Sequence, residues 1–328
     1  MRTAENWKDY ELIDCSDGER LERWGKYILI RPDPQVIWST PKNNRLWRNA
    51  DARYFRSNTG GGKWEVYKNL PDSWSIGFND LKFNIKTMGF KHTGIFPEQA
   101  VNWEYTASVI KKAKTPVKVL NLFAYTGGAT VSALGAGAAV THVDASKGMV
   151  QWAKENAVAS GVADRNVRWL VDDCVKFVKR ELRRGNRYDA VIMAPPSYGR
   201  GPTGEVWKLE QQLSDLLSDV GKLLSDDAVF LFLNSYTGGL SPTILNYMVK
   251  QNLPKGPNVE VYTDEGISGT NTKKRDGFNR MIDDASMDLF DLVITKEISR
   301  FARNTLDSIQ YTRQLLSRGV GVFFQNDN

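Results

Sequence analysis

The chain has 328 residues, 41% hydrophobic and 25% charged, which excludes wholesale disorder and is long for one domain but right for two. It has no apolar run near the roughly 18–20 residues of a membrane span, no signal-peptide pattern at its start, and only Cys15 and Cys174, so membrane spans and a disulfide scaffold are excluded and a soluble cytoplasmic protein is expected. The net charge of +6 is uneven: from Val259 onward 9 Lys and Arg face 11 Asp and Glu, leaving +8 on the residues before it, a basic body suited to a polyanionic partner.

Up to about residue 90 the chain carries short alternating runs: Tyr27-Ile28-Leu29-Ile30, Val36-Ile37-Trp38 and Lys63-Trp64-Glu65-Val66-Tyr67. Pro and Gly interrupt them at Arg31-Pro32-Asp33-Pro34 and Gly60-Gly61-Gly62, which predicts a small β-rich module over 1–89. Seven of the ten tryptophans lie at or before Trp103. They suit stacking platforms for bases or, more simply, the packing of a small β core.

From 90 to 253 strands and helices alternate. Strands are expected at Val117–Leu122, Val140–Asp144, Val167–Leu170, Tyr188–Met193 and Ala228–Leu233. Helices are expected from Thr130 to Gly135, from a Ser146 cap to Ser160, from Cys174 to Arg184, over 208–224 and over 241–250. Repeated βα units with apolar strands imply a parallel sheet covered on both faces. After the break Leu253-Pro254-Lys255-Gly256-Pro257 a second βα pattern occupies 254–328: strands at Val259–Tyr262, Leu289–Thr295 and Val320–Phe324, with helices at Phe278–Met287 and Thr305–Ser317.

Ligands of an open parallel sheet sit beyond the carboxyl ends of its strands, so those ends are the residues to read. The first ends in Phe123-Ala124-Tyr125-Thr126-Gly127-Gly128, whose glycines let a ligand approach the backbone at a helix start. This is not Gly-x-Gly-x-x-Gly, so a dinucleotide fits poorly. The second ends at Asp144, where a carboxylate can accept both ribose hydroxyls or simply cap a helix. The third ends at Asp172-Asp173, where one acid could bond an adenine amine. Together they suit an adenosyl ligand without phosphates.

Three segments carry a resemblance: Phe90-Lys91-His92-Thr93-Gly94-Ile95-Phe96-Pro97-Glu98-Gln99, the turn Leu122–Gly128, and Ala194-Pro195-Pro196-Ser197-Tyr198-Gly199-Arg200-Gly201. They resemble class I S-adenosylmethionine-dependent methyltransferases of the 23S rRNA cytosine-5/guanine-N7 type, closely over 90–250 and loosely before. The resemblance implies an α/β fold with a Rossmann-like class I methyltransferase sheet whose last strands are missing. It implies S-adenosyl-L-methionine held by Phe123 to Gly128, by Asp144 on the ribose and by Asp173, beside Asp172, near the adenine. Thr93 to Gln99, with Phe96 and Gln99, would wall the pocket, and RNA, specifically rRNA, would be the substrate. Pro195, Pro196 and Tyr198 would form the catalytic segment, with Tyr198 stacking on the target base.

One position departs from the pattern: the family has Asp-Pro-Pro where this chain has Ala194-Pro195-Pro196. An aspartate there can accept a hydrogen bond from a base amine or help remove its proton, and a methyl group can do neither, so activity is expected to be impaired. Methylation at cytosine C5 needs a thiolate that adds to C6. The fifth strand leads into Asn234-Ser235-Tyr236-Thr237-Gly238-Gly239 without a cysteine, and Cys174 reads as a small buried residue. Direct transfer to a ring or exocyclic nitrogen, or to oxygen, fits better, because those atoms already carry a lone pair, and nitrogen is the expected acceptor. Lys176, Lys179, Arg180, Arg183, Arg184 and Arg187 line one side of a helix, as a solvated face or a track for an RNA backbone. His92 and His142 are too few and too scattered for a metal site.

Tyr262-Thr263-Asp264-Glu265-Gly266-Ile267-Ser268-Gly269-Thr270 and Ile294-Thr295-Lys296-Glu297-Ile298-Ser299-Arg300-Phe301-Ala302-Arg303-Asn304 resemble the catalytic domain of serine recombinases over about 259–328. The resemblance implies that Arg300 and Arg303 hold a phosphate and that DNA is a partner of this part alone. The nucleophilic serine which that chemistry needs is missing between Asn252 and Val259, so strand exchange is not expected. The simplest reading is a methyltransferase joined near residue 250 to a recombinase-type α/β fragment, with an inactive remnant that binds only cofactor or nucleic acid as the alternative to an enzyme.

Overall fold

The computed structural model describes residues 6–57, 61–237, 240, 242–253, 276–287, 290, 292–295, 301 and 305–324. The chain divides into two compact units, Thr3–Leu253 and one that comprises Pro254–Asn328 with Met1–Arg2. None of the described helices is long and apolar enough to cross a membrane.

The large unit opens with β1 (Tyr10–Ser16), β2 (Glu19–Trp24), β3 (Tyr27–Pro32), β4 (Ala52–Arg56) and β5 (Gly62–Val66), side by side in one five-stranded sheet. Every pair is antiparallel except β3 with β4. A hairpin of β6 (Trp74–Phe78) and β7 (Leu81–Ile85) follows. A two-residue loop joins β1 to β2, with Asp17 and Gly18 at φ 52° and 73°, both positive as the right-handed twist of the flanking strands demands. Val36–Trp38, expected as a strand, is not one. Its carbonyls at Val36 and Trp38 instead accept the Gly18 and Asp17 N–H groups at 2.9 and 3.0 Å, closing a loop over the hairpin.

The remaining part of this unit is the anticipated parallel sheet. In chain order it contains α1 (Ala100–Lys112), β8 (Lys118–Leu122), α2 (Gly128–Gly135), β9 (Ala139–Asp144), α3 (Lys147–Ala159), β10 (Val167–Val171), α4 (Cys174–Arg183) and β11 (Ala190–Met193). Then come the short hairpin β12 (Tyr198–Arg200) and β13 (Val206–Lys208), α5 (Leu209–Leu223), β14 (Phe230–Leu233) and α6 (Pro242–Asn252). The sheet order is β10-β9-β8-β11-β14, all parallel, and among the described residues β14 is its last strand. α1 and the β12–β13 hairpin have no counterpart among the elements expected from sequence.

Alternation along the strands separates two cores. Val119, Val140 and Ile192 pack with Trp103, Val131, Leu134 and Ala157 of α1 to α3, and this core runs on into Trp24, Phe78 and Phe83 of the N-terminal strands. Leu120, Leu122, Val191 and Met193 face the other way, onto Phe177 and Val178 of α4 and Leu213, Leu216 and Val220 of α5. The N-terminal tryptophans therefore serve mainly as core. Trp24 is fully buried, and Trp7 meets Tyr10, Phe78 and Trp103 at ring distances of 4.7–6.3 Å.

The tail has its own core of Phe278, Met281, Ile282, Val293, Leu315 and Val320. Strands Leu292–Thr295 and Gly321–Phe324 pair in parallel, with the helix Thr305–Leu316 between them in sequence and the helix Asp276–Ser286 before. The expected strand Val259–Tyr262, the run to Thr270, and both Arg300 and Arg303 lie outside the described residues.

Candidate active site

The sheet order reverses between β8 and β11: β9 and β10 succeed on one side of β8, β14 on the other. Loops leaving the carboxyl ends of β8 and β11 therefore diverge, which is where open α/β sheets keep their ligands. The turn after β8 and the Ala194-Pro195-Pro196 loop after β11 are thereby brought side by side, with Met193 registered on Leu122.

The turn Phe123–Gly128 is shaped by left-handed backbone at Phe123, Tyr125 and Gly127, with φ of 52°, 52° and 79°. Its N–H groups are largely spoken for: Phe123 donates to the Cys174 sulfur at 3.3 Å, Ala124 to the Val143 carbonyl at 3.1 Å and Gly127 to the Ala124 carbonyl at 3.0 Å. Gly127 is the N-cap of α2 and brings no side chain to it, so the first-turn N–H groups of that helix stay open toward an anion. The two glycines have a second reason to be there. A Cβ on Gly127 would stand 2.8 Å from that of Ala153, and one on Gly128 would stand 2.6 Å from the Trp103 ring. Close packing of α2 against α1 and α3 requires glycine here even without a ligand.

Asp144 closes β9. One carboxylate oxygen accepts the Tyr125 N–H at 2.8 Å and the other the Ser146 N–H at 2.9 Å. Burial raises its pKa, those two N–H groups pull it back, and among the described residues it has no ion-pair partner. Ser146, not Asp144, caps α3, accepting the Met149 N–H at 3.4 Å. Asp144 is thus a carboxylate held in place by backbone, with lone pairs left for hydroxyl donors.

The acids at the end of β10 are more occupied. Asp173 is the N-cap of α4 and accepts the Lys176 N–H at 2.8 Å, while Asp172 is ion-paired with Arg180. Cys174, next along, is 3% exposed, and its thiol donates to the Val143 carbonyl at 3.8 Å. Burial holds its pKa well above the ordinary thiol value, so it is not a thiolate.

The loop 92–99 folds over this turn. Thr126 hydrogen-bonds the Gly94 carbonyl, and the Phe96 ring lies 5.5 Å from Tyr125 and 5.0 Å from His92. Two hydroxyls here are buried without partners, Thr93 Oγ1 and Tyr125 Oη. Burial, joined by Arg31 and Lys91, pushes the His92 imidazole down to about 4. From the far side of the crevice, Tyr236 stacks on Phe96 at 5.3 Å and 25°, and its hydroxyl accepts from Gln99. Tyr236 is not among the residues that the sequence marks for the site, since the loop after the fifth strand stands out in sequence only by its lack of cysteine. Its position straight after an apolar strand end was the available signal.

After β11, Pro195 is buried and Pro196 exposed, and the Pro196 carbonyl accepts the Trp207 indole N–H at 2.6 Å. Ser197 and Thr237 exchange a hydroxyl hydrogen bond at 2.7 Å. Tyr198 opens β12 with half its surface exposed.

The sequence of residues 37–260 matches the S-adenosylmethionine-dependent methyltransferase family, and residues 245–328 match the N-terminal domain of the resolvases. Among curated relatives, ribosomal RNA large subunit methyltransferase K/L of Shewanella frigidimarina is 30% identical over 156 residues, 47% of this chain and 21% of that protein. The same enzyme of Colwellia psychrerythraea is 25% identical over 65% of this chain and 27% of its own length. The chain thus spans between a fifth and about a quarter of these relatives. A solved S-adenosylmethionine-dependent methyltransferase from Agrobacterium tumefaciens is 39% identical with a TM-score of 0.73, over 75% of this chain and 79% of that one. Another from Streptococcus mutans, 19% identical over 76% and 67% at a TM-score of 0.62, shares the fold.

Proposed function

The chain belongs to the S-adenosylmethionine-dependent methyltransferase family, and from that premise we propose that it transfers a methyl group to a nitrogen of an RNA base, ribosomal RNA being the first candidate. Asp144 carries this reading: a carboxylate fixed by two backbone N–H groups, without an ion-pair partner among the described residues, at a strand end beside an uncapped helix start. Such a group suits the two hydroxyls of a ribose, and the open α2 terminus suits the carboxylate of the methionine moiety. The buried, partnerless hydroxyls of Thr93 and Tyr125 fit a polar ligand at the same place.

In this proposal Phe123 to Gly128 hold the methionine end, Asp144 the ribose, and Phe96 and Gln99 the outer wall. Asp173 serves the adenine with the oxygen that does not cap α4, whereas Asp172, paired with Arg180, steadies the strand end. When bound, S-adenosylmethionine supplies an electrophilic methyl on sulfonium. The chain's own residues bring the base to it: Pro195 and Pro196 hold the loop rigid, and Tyr198 stacks on the base. The thiols argue against a carbon acceptor. Cys174 is buried and protonated, and Cys15 belongs to β1 of the N-terminal sheet, so neither can add to a pyrimidine ring. Within the 23S rRNA cytosine-5/guanine-N7 type, this favours the guanine-N7 kind.

The organisation we propose has three pieces: a β-rich module over 1–89, the methyltransferase domain over 90–253 and a recombinase-type fragment over 254–328. The match of residues 245–328 to the resolvase N-terminal domain supports the last. A second reading, a remnant that binds cofactor or nucleic acid without catalysis, is favoured by Ala194 alone.

Calorimetry with S-adenosylmethionine tests the first step. Binding by the wild type and its loss in Asp144→Ala is expected, and no binding by the wild type sinks both readings. Tritium transfer from S-adenosylmethionine to rRNA from cells lacking the gene then separates enzyme from binder.

A further inference from the structure

α4 carries basic residues on the face that does not enter the core. Phe177 and Val178 point inward, and Lys176, Lys179, Arg180 and Arg183 lie outward. The fold sorts these cations into two kinds. Lys176 pairs with Glu205, Arg180 with Asp172 and Arg184 with the buried Glu181, so these three are anchored. Lys179 and Arg183 are exposed and make no ion pair among the described residues. One turn apart on the helix, they stand about 6 Å from each other along its axis.

Both border a groove of about 580 Å³ between α4 and α5, lined by Lys176, Lys179, Arg180, Leu182, Arg183 and Asp219. Its single acid, Asp219, is itself 3.4 Å from Lys222. The anchored pairs also give the surface a direction. Lys176–Glu205 ties α4 to the turn between β12 and β13, the hairpin that bears Tyr198, Arg200 and Lys208 on exposed positions. The groove's Lys176 is thereby joined to the hairpin that begins where the loop after β11 ends.

We propose that this face of α4 binds the phosphate backbone of single-stranded RNA and leads it toward the Ala194–Tyr198 loop. The inference rests on the reading that RNA is the substrate. Two unpaired cations beside two that are held in place suit a flexible polyanion, which can fit its phosphates to the free pair. A membrane surface is a poorer occupant, because the apolar side of α4 is already buried in the core and has nothing to insert.

The test is fluorescence anisotropy of the full chain with a labelled, mixed-sequence single-stranded RNA of about 20 nucleotides, titrated at several salt concentrations. Lys179→Gln/Arg183→Gln is expected to weaken binding about tenfold and to lower the slope of log affinity on log salt by about 1.4. Lys111→Gln/Lys112→Gln, the same charge change on exposed residues at the end of α1, is expected to stay within about twofold. Unchanged melting temperature and S-adenosylmethionine affinity in both variants confirm that the fold and cofactor site are intact. Unchanged RNA binding by the α4 variant, with tight binding by the wild type, overturns this surface and leaves the RNA reading standing. No RNA binding by the wild type overturns that reading as well. Polyglutamate that competes as well as RNA, charge for charge, shows an acidic-protein surface and overturns the proposal.

Discussion

The Asn102 side chain of α1 donates to the Asn234 side chain at 3.1 Å, joining positions 132 residues apart in the chain. The same Asn102 amide group donates to Gln99 at 2.8 Å, and Gln99 in turn donates to the Tyr236 hydroxyl. Through this chain the loop that carries Phe96 and the loop after β14 hold one another, with the Phe96 and Tyr236 rings stacked between them. Asn102→Ala is expected to weaken S-adenosylmethionine binding about three- to tenfold by calorimetry, as two network bonds are lost. The unfolding midpoint should move little, because the network is partly open to water.

Glu22 and Arg31 form a two-pronged ion pair inside the N-terminal sheet, at 2.6 and 2.7 Å, with the Tyr10 hydroxyl donating to Glu22 at 2.9 Å. Arg31 holds the Glu22 carboxyl below its usual pKa against the opposing effect of burial. Glu22→Ala leaves a buried guanidinium without its partner and is expected to cost about 3–5 kcal/mol in urea unfolding. Replacing both residues with methionine should cost clearly less than that single change.

His142 is fully buried, with Nδ1 2.9 Å from the Thr130 hydroxyl and Nε2 unpartnered. Burial pushes its imidazole down to about 3. It stays neutral in the folded chain but protonates near its ordinary value of about 6.5 once unfolded. Its share of stability is therefore complete above about pH 6.5 and drains away as pH falls toward 3. Urea midpoints measured from pH 7 downward should fall more steeply for the wild type than for His142→Gln, by on the order of a few kcal/mol in total.

Cys174→Ala is expected to lower stability by about 1 kcal/mol through lost packing, and to leave methyl transfer within about a factor of two. A loss of a hundredfold or more in the tritium assay, with the fold intact, would return the thiol to the chemistry and with it a carbon acceptor.

Ala194 follows β11 directly, beside the turn of β8, where its N–H donates to the Leu122 carbonyl at 3.4 Å. Ala194→Asp adds an acceptor where the family has one and is expected to raise the transfer rate at least about tenfold, while cofactor affinity changes little. An unchanged rate in a variant that still binds cofactor shows that the missing acid is not what limits this chain.

Apolar runs and turn residues in the chain were enough to predict the five strands of the parallel sheet, its helices from α2 onward and the acids at the strand ends. These depend on neighbours in sequence: a run such as Val117–Leu122 excludes water on both faces wherever its partners come from. The Ser146 cap is equally local, since an N-cap is satisfied within three residues. Asp173, expected from sequence as a ligand, is also the cap of α4, because a short carboxylate suits either role.

What the tertiary structure alone decided is which distant pieces meet. The order β10-β9-β8-β11-β14 places the turn after β8 against the loop after β11, and no local pattern encodes that reversal. The Asn102–Asn234 bond and the Phe96–Tyr236 stack depend on it, and the Lys176–Glu205 pair that anchors one cation of α4 likewise joins positions distant in the chain. Length and composition suggest about two domains for the whole chain, and the charge count places +8 on the residues before Val259. Folding decided where that charge stands free, because packing brings Glu205 to Lys176 and Asp172 to Arg180, Glu181 holds Arg184 from within the helix, and Lys179 and Arg183 are left without an ion pair among the described residues.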